Sequence, residues 1–465
     1  MPSLDAAPPT SRFNAAEIRE YLDENDRDPE QMHESDDASD DVASVTSTIY
    51  HQQEPFGDFK KRVARLCSGK FPNTSVSIER LKGGTYNRIT AITVTTLRPH
   101  LLSLAWLRAL TFGHRSKAGD QPTKYYILRA LREEQTVDHW DLTYDVSTLV
   151  LARRILKSVV PTIIASDSRS ENTLSRPYTI QERLPGLNLN EIWSSLTVSQ
   201  KEHALYIIVH LVKKLQAVRC RTAGVVARVD TPRDAHSNAR FLIHSFKIGT
   251  SQTSPLVEPH VSKARPSTTY EFMMSQAQKW EELDMYIDNP WKLRWGHFKV
   301  IAQSLYDMGF IPDADQFYFC HLDLYARNLL VQIVDDSTLK LTAVLDWDAQ
   351  FAHFCPKFVA YRAPFWLWLD RSENEYNEML ATTEPTDPGL LRMKALWERL
   401  AGDEWKRYAF TPEYMIARRL FTRLRDGICR VGDDDDAASI VDDWQKLHYD
   451  ERLVTTDMSH EQGGV

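Results

Sequence analysis

The residues best suited to chemistry lie in one short segment, Phe317–Asp348 (FYFCHLDLYARNLLVQIVDDSTLKLTAVLDWD). It contains the pattern H-x-D-x-x-x-x-N, formed by His321, Asp323 and Asn328, and an acid-Trp-acid sequence that begins at Asp346. Carboxylate and amide oxygens are hard ligands that suit Mg²⁺. A further carboxylate can orient a hydroxyl group and accept its proton. The segment therefore contains residue types that a metal-assisted transfer reaction needs.

Two apolar runs, LLVQIV and LKLTAVL, separate the pattern from the acid-Trp-acid sequence and predict a β-hairpin with a polar turn. A hairpin brings its two ends together. We therefore expect Asp323, Asn328 and Asp346 to converge at one end of it, as transfer of a phosphoryl group from a nucleotide requires. A purely structural polar cluster at a turn is the alternative.

The segments before this hairpin predict a small lobe over residues 51–182. Alternating or β-branched runs indicate strands at SVSIERL, RITAITVT, KYYILRAL, IIASD and PYTIQERL, and YDVSTLVLARRIL has helical periodicity. The stretch at about 97–123 is too long for a tight hairpin, so it is interpreted as an insertion with a short amphipathic helix at 101–112.

Residues 183–450 predict a larger and mainly helical lobe. Helical spacing of apolar residues occurs in SQKEHALYIIVHLVKKLQAVR, TYEFMMSQAQKWEELDMYI and WGHFKVIAQSLYDMGF. A polar stretch at about 222–267 separates the first of these helices from the others. Asp433–Asp436 is expected to be a solvated loop, and the basic helix Arg419–Arg430 is expected to present a solvated face. Trp291, Trp295, Trp366 and Trp368 are expected mostly to pack in the core.

Charge and composition limit the classes of partner and compartment. The chain of 465 residues has a formal net charge of -8, which excludes a generally basic protein that coats nucleic acid. Residues 1–50 contain 13 acidic and 3 basic residues and predict a disordered acidic tail, and 451–465 predict a C-terminal tail. No membrane span and no secretory signal are predicted, and the 5 scattered cysteines favour a reducing compartment, so the expected location is the cytoplasm.

The motifs HLDLYARNLLV and LDWD resemble the catalytic loop and metal-binding turn of the aminoglycoside phosphotransferase and choline kinase-like family. LKGGTYNRITAITV is similar to that family's glycine-rich strand-turn-strand, and PYTIQERLPGLNLNEIW to its hinge between lobes. CPKFVAYRAPFWLWL is similar to an extension of fungal-type members. The resemblance implies a two-lobed α+β protein-kinase-like fold, with a small antiparallel-sheet lobe and a larger mainly helical lobe. It also implies ATP as co-substrate, Mg²⁺ as cofactor and a small-molecule acceptor.

The resemblance assigns roles around the hairpin. Asp323 would be the catalytic base, Asn328 and Asp346 would hold Mg²⁺, and His321 would brace the catalytic loop by hydrogen bonds. Asp348 would be either a second metal contact or a support for the turn.

The resemblance also assigns a nucleotide-binding set in the small lobe. Gly83, Gly84 and Asn87 would shape the loop over the phosphates, because glycine lets backbone N–H groups approach oxygen closely. The segment Ile180–Glu182, which contains Gln181, would offer backbone groups to the adenine edge.

One departure from the family pattern concerns the phosphate-binding lysine. This chain has Arg129 at that position, and the matching acid is Asp145. Arginine can hold phosphate oxygens with two bonds, but it is bulkier and more rigid than lysine. The sequence therefore predicts an ATP-dependent small-molecule kinase and leaves two alternatives, a nucleotide-binding pseudokinase and a protein kinase with an atypical activation segment. The identity of the acceptor, the choice between ATP and GTP, and the oligomeric state stay open.

Overall fold

The computed structural model describes residues 54–81, 87–97, 122–132, 142–229, 240–249, 261–370, 374 and 376–448. The chain divides into two compact units, residues 1–56 and residues 57–465, and only 54–56 of the first are described. The predicted acidic tail, the C-terminal tail and nearly all of the predicted insertion lie outside the described residues. None of the helices in the described ranges is both long and apolar enough to cross a membrane.

The small lobe contains one five-stranded antiparallel sheet with the strand order β1-β2-β3-β5-β4. The strands and helices described in this lobe have the following bounds: α1 Phe56–Lys70, β1 Thr74–Arg80, β2 Asn87–Thr96, β3 Thr123–Leu131, α2 Leu142–Leu156, β4 Ile163–Asp167 and β5 Tyr178–Glu182. All five predicted strands and the predicted helix are present.

The described residues of the region that follows are mainly helical and include three small sheets. Its elements, apart from short 3₁₀ turns, are β6 Leu187–Asn188, α3 Leu189–Ile192, α4 Val198–Gln216, β7 Arg219–Cys220, β8 Val225–Arg228, β9 Phe241–His244, α5 Thr269–Tyr286, α6 Arg294–Asp307, β10 Phe317–His321, β11 Leu329–Ile333, β12 Leu339–Val344, β13 Ala352–Cys355, α7 Lys357–Ala360, α8 Pro388–Ala401, α9 Asp403–Phe410, α10 Pro412–Asp426 and α11 Val431–Leu447. The predicted two-lobed α+β fold is confirmed.

Two of the long helices begin at sequence signals that satisfy their first backbone N–H groups. Thr197 caps α4, and its side chain and that of Gln200 bond reciprocally to each other's backbone. Thr268 and Glu271 form the same capping box at the start of α5. Because a capping box satisfies two otherwise unpaired donors, it defines where each helix starts.

The polar stretch between α4 and α5 contains a hairpin that the sequence analysis did not predict. Strands β8 and β9 pair from Val225↔His244 to Arg228↔Phe241. Gly224 precedes the hairpin with φ +137°, and a Cβ atom at this position would lie 1.9 Å from the carbonyl oxygen of His244. Only glycine fits there, because other residues would clash with this backbone and disfavour the dihedral angle.

The predicted solvated loop at Asp433–Asp436 is wrong, because these residues lie in the first turns of α11. The carboxylate of Asp433 accepts bonds from the N–H groups of Cys429 and Arg430, as acids near a helix N-terminus commonly do. Arg294 bonds to Asp434, and Arg419 to Asp436.

The expected solvated face of the basic helix is also wrong in part. Leu420, Phe421 and Leu424 of α10 are buried, while Arg419 and Arg423 pair with acids of α11. Basic residues on α10 and acidic residues on α11 therefore join two helices instead of facing water alone.

Tryptophan side chains fill much of the large-lobe core. Trp295 is fully buried and stacks on Trp280, with ring centroids 5.9 Å apart, and Trp368 is 2% exposed. The expectation that these tryptophans pack in the core is confirmed for Trp295 and Trp368, whereas Trp291 and Trp366 are only partly buried.

Candidate active site

The catalytic loop, residues 321–328, starts at the end of β10 and ends in a 3₁₀ turn, Ala326–Asn328. The Asn328 side-chain amide donates to the Asp323 carbonyl oxygen (2.8 Å) and to Asp323 Oδ2 (2.7 Å). The Arg327 guanidinium donates to Asp323 Oδ1. Both oxygens of the Asp323 carboxylate are therefore oriented by residues of the same loop.

The hairpin of β11 and β12 places Asp346 beside this loop. Leu329 pairs with Val344, and the Leu345 N–H donates to the Asn328 carbonyl oxygen (2.8 Å). The His321 Nε2 lies 2.8 Å from the Leu345 carbonyl oxygen, which accepts from it. The segments that carry Asp323, Asn328 and Asp346 therefore meet at one end of the hairpin, and His321 joins the two segments as a brace.

Burial and the charges of two carboxylates, Asp346 and Asp323, shift the pKa of His321 in opposite directions. Burial lowers the pKa of His321, while the Leu345 carbonyl and the negative charges of Asp346 and Asp323 act in the opposite direction. Because burial has the larger effect, the imidazole is favoured in its neutral form. A neutral ring with a proton on Nε2 can make the bond to Leu345, which fits a bracing role.

Asp346 adopts a backbone conformation that is rare for residues other than glycine. Its φ angle is +63°, in the left-handed region. Such a conformation costs free energy and persists only where surrounding contacts maintain it. The contact that holds the side chain comes from the other lobe, because Arg129 Nη2 donates to Asp346 Oδ1 at 3.0 Å.

Arg129 is the centre of a buried group of charges, which we call the arginine–carboxylate cluster: Arg129, Asp145, Asp346 and Asp348. The same Arg129 nitrogen that contacts Asp346 donates to Asp348 Oδ2 at 2.6 Å. Asp145 Oδ1 accepts instead from the Ala349 N–H at 2.8 Å. The side chains of Arg129 and Asp348 are only 15% and 12% exposed.

The pKa shifts within the cluster follow from burial and from the crowding of like charges. Burial alone would lower the pKa of Arg129, but Asp348, Asp346 and Asp145 outweigh it and raise that pKa. Burial raises the pKa of Asp348 to about 6, although Arg129 opposes the shift. Burial and the nearby Asp348 also raise the pKa of Asp145 well above its usual value. Arg129 is therefore permanently charged, and the cluster depends on it.

The structure thus gives Arg129 partners that differ from the expected one. The acid matched to it by resemblance, Asp145, holds the backbone just after the acid-Trp-acid sequence, and Asp348 takes the direct ion pair. The register of β3 places Arg129 opposite Ile89 of β2 and Thr179 of β5.

Three further residues predicted to bind nucleotide, Asn87, Gln181 and Glu182, lie in the same sheet as Arg129. Asn87 is the first residue of β2, and Gln181 and Glu182 end β5. The Glu182 N–H donates to the Thr162 carbonyl oxygen at 2.8 Å, so this group is engaged in the sheet. Gly83 and Gly84 lie outside the described residues.

Sequence reasoning missed the role of Arg327. The signal was present, because Arg327 follows Asp323 by four residues and a single turn can bring such residues together. Arg362 donates to the Tyr325 hydroxyl from 37 residues further along the chain, and no sequence spacing indicated this contact.

The sequence pattern of the phosphotransferase enzyme family matches residues 124–349, a range that includes β3, the catalytic loop and the acid-Trp-acid sequence. Over these residues the chain shows that family's sequence pattern. The predicted family and the predicted class, an enzyme that transfers phosphoryl groups, are confirmed at this level.

Individual relatives are more distant. A subtelomeric hrmA-associated cluster protein of Aspergillus fumigatus is 28% identical over 168 residues, which cover 34% of this chain and 30% of that protein. The match thus spans less than a third of this curated relative.

Two solved structures align over most of the chain at low identity. Aminoglycoside phosphotransferase APH(4)-Ia is 15% identical, with 84% of this chain and 99% of that chain covered and a TM-score of 0.43. The GDP complex of wild-type aminoglycoside 2′-phosphotransferase-IIIa is 13% identical, with 84% and 99% covered and a TM-score of 0.40.

Proposed function

We propose that this protein transfers the γ-phosphoryl group of ATP to a hydroxyl group of a small molecule in a Mg²⁺-dependent reaction, with Asp323 as the base. The observation that carries the proposal is the arrangement of Asp323 at the hairpin end, where Arg327 and Asn328 orient its two carboxylate oxygens. The family of residues 124–349 supports the same class of reaction.

The residues at the hairpin end fit a magnesium ion that is shared with nucleotide phosphates. The Asn328 side-chain nitrogen bonds to Asp323, so the side-chain oxygen of Asn328 is left as a ligand. The Asp346 side chain is 31% exposed despite its bond to Arg129. Over the described ranges, no group of three or more His, Cys, Asp or Glu side chains is arranged to hold a metal. Mg²⁺ is usually bound by one or two carboxylates together with water and phosphate oxygens, so Asp346 and the Asn328 side-chain oxygen would be enough protein ligands. When bound, Mg²⁺ would neutralise charge on the transferred phosphoryl group.

The chain's own residues act by positioning and by accepting a proton. The acceptor hydroxyl approaches the Asp323 carboxylate, which has lone pairs left after its bonds to Arg327 and Asn328. The hydroxyl proton passes to that carboxylate as the oxygen bonds to phosphorus. Because a phosphoryl group needs little covalent assistance, accurate placement of the acceptor accounts for much of the rate.

A second candidate function is nucleotide binding without transfer. The observation that favours it is the ion pair between Arg129 and Asp346, because it occupies one oxygen of a predicted metal ligand. A chain in which this pair persisted would bind nucleotide and leave it intact.

Measurement of ATP consumption in the presence of candidate alcohols tests the proposal. Asp323→Asn keeps the size of the side chain but removes the base, and we expect the transfer rate to fall by about 10²–10⁴-fold. Asp288→Asn is the matched control, because Asp288 is 88% exposed and lies outside the site. Its rate should equal that of the wild type.

The two candidate functions predict different results for the wild-type protein. Phosphoryl transfer that is lost in Asp323→Asn supports the kinase. Nucleotide binding measured by calorimetry, with no ATP consumption in either protein, would instead support the non-catalytic function.

A further inference from the structure

A cluster of cations and aromatic rings lies directly beside Asp323. We call it the cation–aromatic cluster; its members are Tyr325, Arg327, Arg362, Trp366 and Tyr376. The Arg327 guanidinium lies 4.5 Å from the ring centroid of Tyr325 and 5.7 Å from that of Tyr376. The Arg362 guanidinium lies 5.4 Å from the centroid of the Tyr325 ring and also donates a hydrogen bond to the Tyr325 hydroxyl. These contacts join the catalytic loop to Arg362 and Tyr376.

The cluster has a buried base and an exposed rim. Tyr325 is 3% exposed, whereas Tyr376 is 65% exposed. The side chain of Arg327 is 35% exposed and that of Asp323 is 17% exposed. Arg327 and the exposed ring of Tyr376 therefore line one approach to Asp323.

The partly open cavity behind the catalytic loop is small for an acceptor. A cavity of about 70 Å³ lies between α4, β10 and the segment 359–366, with Leu324, Arg362 and Trp366 among its lining residues. Sites for small organic molecules usually have about 300–1,000 Å³. We therefore place the acceptor on the exposed rim, against the cation–aromatic cluster.

Two guanidinium groups, those of Arg327 and Arg362, lie against the Tyr325 ring beside Asp323. Arg327 is ion-paired with Asp323, whereas Arg362 bonds the neutral Tyr325 hydroxyl. Asp323 and Glu378 are the carboxylates whose charge acts on Arg362. Glu378 is already held by Arg418, whose nitrogen lies 2.6 Å from the carboxylate. A cationic acceptor would meet repulsion from Arg327 and Arg362 and would compete with them for the same ring faces.

We propose that the cation–aromatic cluster binds the acceptor and selects a ring-bearing alcohol or phenol that has no positive charge. This inference rests on the proposed kinase function and names the acceptor class of that site. The ring packs against Tyr376, and an anionic group on the acceptor is attracted by Arg327. Polycationic sugars are disfavoured.

The reaction at this site is balanced as follows. The acceptor oxygen forms a bond to the γ-phosphorus of ATP, and the bond from that phosphorus to the β–γ bridging oxygen breaks. The hydroxyl proton goes to Asp323, and ADP is the leaving group. Arg327 is a positioning and selectivity residue, because it bonds Asp323 and presents its charge to the acceptor.

Binding of three matched phenols to the full-length protein with Mg·ADP tests the selectivity without any transfer step. The probes are 4-hydroxyphenylacetate (anionic), 2-(4-hydroxyphenyl)ethanol (neutral) and tyramine (cationic), and dissociation constants are measured by ligand-observed NMR titration. We expect the anionic and neutral phenols to bind about fivefold or more tightly than tyramine, since two nearby guanidinium groups oppose the cation.

The variants assign the selectivity to the cluster. Arg327→Gln should reduce the anion-to-cation ratio at least severalfold, and Arg392→Gln, at an arginine whose side chain is 67% exposed on α8, should leave it unchanged. Since Arg362 is more deeply placed, Arg362→Gln is used only if its melting temperature matches that of the wild type.

Three results would overturn the inference. They are equal or tighter binding of tyramine, an unchanged ratio in Arg327→Gln, and no binding of any probe at millimolar concentration. A correct order of affinities together with no ATP consumption would retain the binding preference and reject the kinase function instead, so the two proposals fail separately.

Discussion

Asp323 of the catalytic loop is bonded to residues four and five positions away, whereas Arg129 is bonded to residues 217 and 219 positions away. Both regions contribute to the same end of the β11–β12 hairpin. The catalytic loop is shaped by its own short sequence. The arginine–carboxylate cluster exists only when β3 of the small lobe lies against the turn that follows β12.

The difference between the two regions is also electrostatic. In the catalytic loop each oxygen of one carboxylate has a donor, so loss of one donor leaves the other in place. In the cluster, one arginine serves two carboxylates and lies near a third. Removal of a shared partner from a buried group is costly, because the remaining charges lose their compensation.

The largest expected effect comes from Arg129→Met. This change leaves Asp346 and Asp348 without their cation, and the free energy of unfolding should fall by about 3–5 kcal/mol. Arg327→Met, the same substitution in the catalytic loop, should cost about 1 kcal/mol, because Asn328 still bonds Asp323. Urea denaturation at neutral pH measures both.

A double variant sharpens this prediction. Asp348→Asn in the Arg129→Met background should recover part of the loss, with a coupling energy of about 1–3 kcal/mol. Equal losses in Arg129→Met and Arg327→Met, or a coupling energy near zero, would contradict the distinction between the two regions.

A smaller effect on the free energy of unfolding is expected at His353, which contacts Ala349 directly after the acid-Trp-acid sequence. The Nδ1 atom of His353 lies 3.1 Å from the Ala349 carbonyl oxygen, and the Ala349 N–H donates to the Asp145 carboxylate. Burial lowers the pKa of His353 from 6.5 to about 3. The unfolded chain therefore takes up a proton at higher pH than the folded chain does, and this contribution to stability is complete above pH 6.5 and is lost as the pH falls towards 3.

The size of this pH effect is at most about 1.4 kcal/mol per pH unit within that window. Urea denaturation at several pH values between about 6.5 and 5, compared with His353→Gln, measures it. The variant should have a flatter pH dependence, and a slope as steep as that of the wild type would exclude His353 as its source.

The smallest effect is expected at a peripheral ion pair. Arg294 bonds Asp434 at 2.7 Å, and the two side chains are 30% and 21% exposed. Arg294→Met should lower the free energy of unfolding by about 1 kcal/mol or less, because water screens this pair. A loss as large as that of Arg129→Met would show that burial does not explain the ranking.

Much of the fold could be predicted because its signals are local. The strands of the small lobe and helices α2, α4, α5 and α6 follow periodic apolar patterns, and all occur where these patterns indicate. The hairpin β8–β9 was missed because its strands have only four residues each and lie in a polar stretch. Asp433–Asp436 was misread because a run of acids suggests solvent, while the arginines that pair with it lie on α6 and α10.

The same division applies to the candidate site. The spacing of His321, Asp323 and Asn328 indicated the catalytic loop, since contacts over four or five residues are determined by one turn of chain. The ion pair from Arg129 to Asp348 was not indicated, because family resemblance matched Arg129 with Asp145 instead. Contacts between distant segments depend on how the elements pack.

The sequence by itself determined most of the elements, the β11–β12 hairpin and the order of the oxygen-bearing residues, because hydrophobic period and short-range hydrogen bonding act within a few residues. Only the tertiary structure decided which charges share a buried space: Arg129 with Asp346 and Asp348, and Arg327 and Arg362 around Tyr325. The physical reason is that Coulomb interactions and desolvation depend on distance and burial in space, and residues far apart in the chain acquire both only when it folds.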